Sequence, residues 1–283
     1  MPLISNPPRF MTPARLLVFL IGLPLMVCAV LMLTLFGSPT NQPNEAPLLV
    51  FCAAGVKQPI SQIAENYRRE CGMEVQLQFG GTGSLISQVS LNKQGDLLIV
   101  ADSDATTLVQ QKGIAREAIR LARQFPVVAV KRGNPLGIKL LEDLFREDVR
   151  LAVANPEAAS IGKITKRMLA DRWGALEKKV TVTKTMVTEL AMDIKIGSVD
   201  AAIVWNSTVP QFAELEAVEL PEFTPHVEDV SVTILAACQR PAIALRFARF
   251  MAASDRGSRI FREQGFDAIE GDPWTEPTSE RRP

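Results

Sequence analysis

The sequence predicts an α/β protein whose sheets are flanked by helices, preceded by one N-terminal transmembrane helix. Three observations predict this class. Short apolar runs of strand length alternate with runs of helical spacing from residue 48 onward, as in parallel sheets covered by helices on both faces. Hydrophobic residues make up 47% of the chain and charged residues 22%, which is a globular composition. An apolar run without charges precedes this alternation.

The apolar run covers residues 16–36 and is long enough to cross a bilayer at about 1.5 Å per residue. Arg9 and Arg15 precede it, and no basic residue follows until Lys57. Because basic residues favour the cytoplasmic side, residues 1–15 are expected in the cytoplasm and the globular part outside. We expect a single-pass anchor in the cell inner membrane, with the globular part on the periplasmic side.

A cleaved signal peptide is the alternative interpretation of this run, and it would release the protein into the periplasm. The apolar region of a signal peptide usually spans about 7–15 residues and ends at a small-x-small cleavage site. The run here is longer, and the best candidate site, around residues 36–38, is poor. The length therefore favours the anchor, and both interpretations export the globular part.

Residues 37–46 are polar and contain proline, as expected of a linker. Beyond the linker, the spacing of apolar residues predicts strands and helices in turn. The predicted strands are Leu48–Cys52, Glu74–Phe79, Leu97–Val100, Phe125–Val130, Leu151–Ala154, Ala201–Val204 and Val230–Ala236. The predicted helices are Pro59–Arg69, Ser84–Lys93, Ile161–Trp173, Val187–Ile196, Pro241–Ala252 and Asp255–Gln264. The polar residues 269–283 predict a disordered tail.

Three of the strand-to-helix turns are rich in small residues: 52–56 (CAAGV), 80–84 (GGTGS) and 155–162 (NPEAASIG). Ligands of open α/β sheets bind at such turns. Glycine lets the backbone approach closely, and free amides at a helix start favour an anion. Thr82 and Ser84 add hydroxyl donors. These turns therefore predict an anion site, although Gly, Ser and Thr are also ordinary turn and cap residues.

The composition argues against several other classes of function. Basic and acidic residues both number 31, which gives no electrostatic reason to expect nucleic acid as a partner. His226 is the single histidine, and the four cysteines show no metal-ligand spacing, so no metal site is expected. No nucleophile–base pair or cofactor motif stands out, so we expect neither catalysis nor a cofactor.

With these turns in place, the sequence resembles the molybdate-binding receptors of ABC transporters, which are type II periplasmic binding proteins. The resemblance extends from about residue 48 to residue 266. It is carried by LLVFCAAGVKQPISQIAENYRRECGMEVQLQFGGTGSLISQV, GDLLIVAD, NPEAASIGKITKRML, GSVDAAIVW and FMAASDRGSRIFREQGF. The order and spacing of these segments, taken together, are specific.

The resemblance implies a two-lobed fold with mixed sheets that closes on a small ligand by a hinge motion. Lobe one would comprise residues 47–125 and 226–268, and lobe two residues 131–222. The crossovers would lie at Phe125–Val130 and near Thr224–Ser231. The implied protein is a monomer that delivers its ligand to an ABC permease in the membrane. A membrane-anchored sensory ectodomain that reports a small ligand to a partner protein is the alternative.

The resemblance also implies a tetrahedral oxyanion, molybdate or tungstate, held by neutral donors. The implied ligand-binding residues are Gly55, Val56, Thr82, Gly83, Ser84, Ser160, Ile161, Val187 and Trp205. The sequence departs from the family at Gly55, where the family has a serine, and at Trp205, where it has a tyrosine. Two hydroxyl donors of the family are therefore missing, which leaves the choice among oxyanions open.

Other residues near these turns have two interpretations each. Lys57 would add a positive charge to the site, but a solvated position on the first helix is favoured. Asp102 follows a strand, where a catalytic or metal-binding carboxylate would lie, but a helix cap by Asp102 or Ser103 is favoured. Cys52 and Cys71 would form a disulfide in an oxidising compartment, but the odd number of exported cysteines favours free thiols.

Overall fold

A computed structural model of the protein describes residues 46–275. The predicted cytoplasmic segment 1–15, the predicted membrane segment 16–36 and nearly all of the predicted linker 37–46 lie outside the described residues, as do residues 276–283. Between residues 46 and 275, no helix is both long and apolar enough to cross a membrane.

The described residues alternate strands with helices, as the apolar spacing predicts. The strands are β1 (Leu48–Ala53), β2 (Val75–Gly80), β3 (Leu97–Val100), β4 (Ala115–Gln124), β5 (Pro126–Lys131), β6 (Leu151–Ala154), β7 (Val182–Lys184), β8 (Ala201–Trp205), β9 (Leu215–Val218), β10 (Glu228–Leu235) and β11 (Asp267–Ala268). The α-helices are α1 (Lys57–Cys71), α2 (Thr82–Asn92), α3 (Ser103–Gln111), α4 (Ser160–Leu169), α5 (Trp173–Lys179), α6 (Val187–Lys195), α7 (Pro241–Ala252) and α8 (Gly257–Glu263). Short 3₁₀ turns lie at Ala54–Val56, Leu141–Phe145, Ala170–Arg172 and Asn206–Gln211.

The strands form two sheets. The six-stranded sheet has the order β11-β4-β10-β3-β1-β2, and the five-stranded sheet has the order β7-β6-β8-β5-β9. In the first, β10 runs antiparallel to β3 and β4; in the second, β5 runs antiparallel to β8 and β9. The sheets are therefore mixed, as the family resemblance implies, and not purely parallel, as strand–helix alternation alone predicts.

The chain passes between the sheets twice. A single residue, Phe125, separates β4 from β5, and residues 219–227 lead from β9 back to β10. Asn206 ties the first passage to the end of β8: its side-chain oxygen accepts a hydrogen bond from the Phe125 N–H at 2.9 Å. Its own N–H donates to the Phe125 carbonyl at 2.9 Å.

Strands β1 and β3 of the six-stranded sheet are packed on both faces, which explains their unbroken apolar runs. In β1, Val50 and Cys52 belong to a core that includes helices α1, α7 and α8, whereas Phe51 points to the opposite core under α2 and α3. This alternation follows from the two-residue period of a strand. On the first face, Tyr67 stacks against Phe247 with ring centroids 4.8 Å apart.

Strand β4 has no counterpart among the predicted elements, because its sequence AREAIRLARQ is charged like a surface helix. In the structure, β4 pairs with β10, and its charged side chains lie in solvent. Arg120 lies 3.5 Å from Asp229, and Arg123 lies 3.3 Å from Asp267. These pairs join β4 to both neighbouring strands, so the charges suit an edge region of a sheet.

Two further differences concern the ends of elements. The helix predicted over Ile161–Trp173 is interrupted at Ala170, whose φ of 37° is incompatible with a continuing α-helix. Residues 269–274 pack on the fold, although their composition predicts a disordered tail from residue 269. The Gly271 N–H donates to the Ala252 carbonyl at 2.9 Å, and Trp274 lies edge-on to Phe250 at 5.1 Å. The packing of Trp274 on Phe250 therefore holds this segment on the fold despite its polar composition.

Candidate functional site

A small cavity lies between the carboxyl ends of strands in the six-stranded sheet and the helix starts that face them. It contains about 230 Å³ not occupied by protein atoms, including the part open to solvent. The lining residues are Ala53, Ala54, Gly55, Gly80, Gly81, Thr82, Ala101, Ala159, Ser160, Ile161, Val187 and Trp205. The lining is almost entirely small or apolar and contains no charged side chain. Polar contacts in the cavity must therefore come mainly from the backbone.

Three helices begin at the cavity: α2 at Thr82, α4 at Ser160 and α6 at Val187. The first N–H groups of a helix have no acceptor within it. Within the described part of the chain, the N–H groups of Thr82, Ser160, Ile161 and Val187 donate to no backbone carbonyl. The residues that precede α2 and α4, Gly81 and Ala159, supply no side-chain cap. Three helix dipoles and four unused amides thus converge on one uncharged space, which suits an anion.

Thr82 is the lining residue with a hydroxyl that makes no hydrogen bond within the described part of the chain. The residue as a whole is 3% exposed. Its hydroxyl has a hydrogen left to donate, so a ligand that accepts this hydrogen in the cavity would be stabilised there. Thr82 thus offers both its amide and its side chain to the cavity.

Ser160 uses its hydroxyl elsewhere. Its Oγ donates to the carboxylate of Asp102, which is buried at the carboxyl end of β3. A serine hydroxyl has one hydrogen, so Ser160 offers the cavity only its backbone N–H. Asp102 also accepts the Ala105 N–H at 2.7 Å, which confirms the predicted helix cap, and it receives Lys163 Nζ at 3.1 Å.

Gly83 and Ser84 do not line the cavity, although both are among the predicted ligand-binding residues. Their N–H groups donate to the Ala158 carbonyl at 3.0 and 3.3 Å, from one sheet layer to the other. A Cβ atom on Gly83 would lie 2.3 Å from the Glu157 carbonyl oxygen. Gly81 and Gly83 of GGTGS therefore serve close backbone contact across the cleft in this structure.

Val56 also lies outside the lining, because its side chain is fully buried in the core of the six-stranded sheet. Its neighbour Gly55 does line the cavity, opposite Val187 and Trp205. The Gly55 carbonyl accepts a hydrogen bond from Gln211 Nε2 at 3.2 Å. Gln211 follows β8, so this bond is another link across the cleft.

Six of the predicted residues are thus brought together: Gly55, Thr82, Ser160, Ile161, Val187 and Trp205. Sequence reasoning missed the small residues that complete the lining and the role of Asp102 across the cleft. The small lining residues could have been found from the composition of the three turns. Five of them lie in these turns: Ala53, Ala54, Gly80, Gly81 and Ala159.

The charged and thiol groups near the cavity lie outside it. Lys57 is exposed, with Nζ 5.3 Å from the centre of the Phe79 ring, as the solvated interpretation predicts. The described cysteines Cys52, Cys71 and Cys238 form no disulfide with one another, and burial raises the pKa of Cys52. Within residues 46–275, no group of three or more His, Cys, Asp or Glu side chains is placed to hold a metal ion.

Comparisons with known proteins agree with this architecture. A binding protein of Haemophilus influenzae is 27% identical over 230 residues, which cover 80% of this chain and 93% of the relative. The periplasmic molybdate-binding protein of Azotobacter vinelandii superposes with a TM-score of 0.66 at 18% identity, covering 77% of this chain and 98% of that protein. The sulfate-binding protein of Mycobacterium tuberculosis superposes with a TM-score of 0.71 at 15% identity, covering 80% and 88%.

At these identities, the likeness to the two solved structures establishes the fold alone. The family of bacterial extracellular solute-binding proteins matches residues 48–267. This range contains every residue that lines the cavity, both passages between the sheets, and both sheets except the last residue of β11. The chain therefore belongs to the bacterial extracellular solute-binding proteins.

Proposed function

We propose that this protein binds a tetrahedral oxyanion, molybdate or tungstate, in the cavity between its two sheets and delivers it to an ABC permease. The observation that carries the proposal is the set of four unused amides from three helix starts. Hydrogen bonds from N–H groups to an anion are strong where water is excluded. The Thr82 hydroxyl adds a fifth donor from the same turn.

The size of the cavity supports a small inorganic ligand. The space is about 230 Å³ even with its open part included, and its polar groups are backbone amides and a few small side chains rather than an extended polar surface. The apolar surroundings, among them Trp205 and Val187, favour an anion that gives up its water and is held by fixed dipoles. The molybdate- and sulfate-binding proteins that share this fold carry tetrahedral oxyanions according to their names.

The two sheets would act as the two lobes of the receptor. In this proposal, lobe one comprises residues 47–125 and 226–268, and lobe two residues 131–222, with the hinge in the passages between them. A monomer then captures the ligand on the periplasmic side by lobe closure, without catalysis. The sensory alternative is not favoured, because the family match describes a solute-binding protein.

Calorimetric titration of the full-length protein with molybdate, tungstate, sulfate and phosphate tests the proposal. We expect tight binding of molybdate and tungstate and little response to the other two, because longer metal–oxygen bonds fill a cavity in which sulfate fits loosely. Tight binding of sulfate alone would retain the oxyanion site but refute the choice of ligand. No heat from any of the four anions, in a folded sample, would refute the oxyanion proposal.

A further inference from the structure

A network of ion pairs crosses the cleft beside the cavity, and none of its members lines the cavity. Its acidic members are Asp102, Asp104 and Glu228, which belong to the six-stranded sheet layer. Its basic members are Lys163 and Arg167, which lie one turn apart on α4 in the other layer. Helix α4 is the same helix whose first amides face the cavity.

The contacts are close and involve buried carboxylates. Lys163 Nζ lies 3.1 Å from Asp102 and 3.3 Å from Asp104, and Arg167 lies 2.7 Å from Asp104 and 2.5 Å from Glu228. The Asp102 and Glu228 side chains are only 2% and 6% exposed. Parting α4 from these carboxylates would give up the attraction of four close ion pairs. The network therefore favours the arrangement in which α4 stays against the six-stranded sheet layer.

The acidic residues are also fixed on their own side of the cleft. Asp102 caps α3, and Glu228 accepts the Ser103 N–H at 3.0 Å. Lys163, Arg167 and the Ser160 hydroxyl would have to leave these partners if α4 moved away. The contact of the Gly83 and Ser84 amides with Ala158 would break in the same motion, because it also joins the two layers.

We propose that this network is a latch that holds the cleft closed before a ligand arrives. Asp102, Lys163, Arg167 and Glu228 are then positioning residues, which set the fraction of time that the cavity is open. The inference rests on the proposed function, since a latch has a role only if the two layers separate to admit a ligand. It predicts slow entry and slow release of the ligand.

Hydrogen exchange of the full-length protein without ligand tests the latch directly. In the double variant K163M/R167M, the amides of Gly83 and Ser84, which bond across the cleft, should exchange roughly tenfold faster than in the wild type. A tenfold change corresponds to about 1.4 kcal/mol of lost stabilisation of the closed form. The variant K166M is the matched control, because Lys166 is exposed on the same helix and makes no ion pair within residues 46–275.

Exchange in the strands β1 and β6 reports whether the double variant is still folded. If it is not, D104N serves instead, because Asp104 is half exposed and pairs with both basic residues. Unchanged exchange at Gly83 and Ser84 in a folded variant would overturn the latch, and so would equally fast exchange in the wild type. Because no ligand is present, these results do not depend on whether molybdate binds.

Ligand kinetics then separate the latch from the binding site. Weakening the latch should raise both the association and the dissociation rate of molybdate, whereas losing a ligand contact should raise only dissociation. If molybdate fails to bind any form of the protein, the proposed function fails while the exchange result stands.

Discussion

The indole of Trp205 lies against the bare Cα of Gly55, so that a Cβ atom at residue 55 would sit 3.4 Å from Trp205 Cδ1 and 3.2 Å from Val187 Cγ1. These two positions are the ones at which the sequence departs from the molybdate-binding receptors that it resembles. The larger ring at 205 thus occupies the space that a smaller residue at 55 leaves. Because residues 55 and 205 lie in contact, the change at one position is not independent of the change at the other.

A double-mutant cycle at these positions should show this coupling. We expect Gly55→Ser alone to weaken molybdate binding, because its side chain would crowd Val187 and the indole. In the background of Trp205→Tyr the same serine should be tolerated. Coupling energies between residues in contact are about 0.5–3 kcal/mol, and calorimetric titration of the four proteins measures them. Additive effects of the two changes would show that the contact does not matter for binding.

The sequence predicts much of this fold because the buried strands are apolar and short. Leu97–Val100 and Leu151–Ala154 have the predicted bounds, and so does the helix Pro241–Ala252. The missed strand β4 is stabilised by pairing with β10, a long-range contact that its charged sequence does not reveal. Local propensity gives way there to tertiary context.

The candidate site likewise combines residues that the sequence predicts with contacts that it does not predict. Turn composition and family resemblance point to Thr82, Ile161 and Val187, which line the cavity. They do not reveal that Ser160 donates its hydroxyl to Asp102, because the two residues are 58 positions apart in the chain. Contacts across the cleft depend on how the layers approach each other, and no periodicity records that.

Thr82→Ala should weaken oxyanion binding by about 1.5–3 kcal/mol, the range for a hydrogen bond to a charged partner. The reason is that Thr82 is the lining residue whose hydroxyl is unused in the described structure. Thr82→Ser, which keeps the hydroxyl, should retain most of the affinity. Ser84→Ala is the matched control outside the lining. Calorimetric titration that finds equal affinity for Thr82→Ala and the wild type would exclude Thr82 from the site.

The pair Asp200–Arg150 should make the free energy of unfolding depend on pH in the acid range. Hydrogen bonds from Arg150 hold the pKa of Asp200 below its ordinary value. A lowered pKa in the folded state means that the stabilisation is present above the unfolded pKa of about 3.9 and is lost as the pH falls through the folded value. Asp200→Asn should therefore lower the unfolding midpoint at pH 7 by about 2–4 °C.

The same difference should shrink as the pH falls below the unfolded pKa, where the wild type also loses its charge. Asp148→Asn is the control, because Asp148 pairs with Arg146 at a more exposed position and should matter less. Thermal unfolding at a series of pH values measures both. A difference that stays constant down to the acid limit would show that the charge of Asp200 is not responsible.

The three described cysteines should differ in reactivity. Burial and a hydrogen bond to Asp96 raise the pKa of Cys238 to about 11, and burial raises that of Cys52. Cys71 is only partly buried. Since the thiolate is the reactive form, iodoacetamide at pH 8 should modify Cys71 first and reach the other two only after unfolding. Peptide mass mapping measures the order, and a Cys52–Cys71 disulfide in the native protein would contradict it.

Gly83→Ala should prevent full closure of the cleft without unfolding either sheet layer. Gly83 lies inside α2 without a positive φ, so alanine would favour the helix by about 0.8–1.0 kcal/mol in the absence of other contacts. Its Cβ would, however, lie 2.3 Å from the Glu157 carbonyl oxygen across the cleft. Each sheet layer should therefore stay folded, while the layers no longer meet.

We expect this variant to lose molybdate affinity by about tenfold or more, because the amides of Ser160 and Ile161 would no longer meet those of α2 around one ligand. Gly174→Ala is the matched control: Gly174 is also helical, and a Cβ there would have no neighbour within 4 Å. It should raise the unfolding midpoint slightly and leave the affinity unchanged. Wild-type affinity in Gly83→Ala would mean that the ligand is held by one layer alone, and that the close approach of Gly83 to Glu157 is not needed for binding.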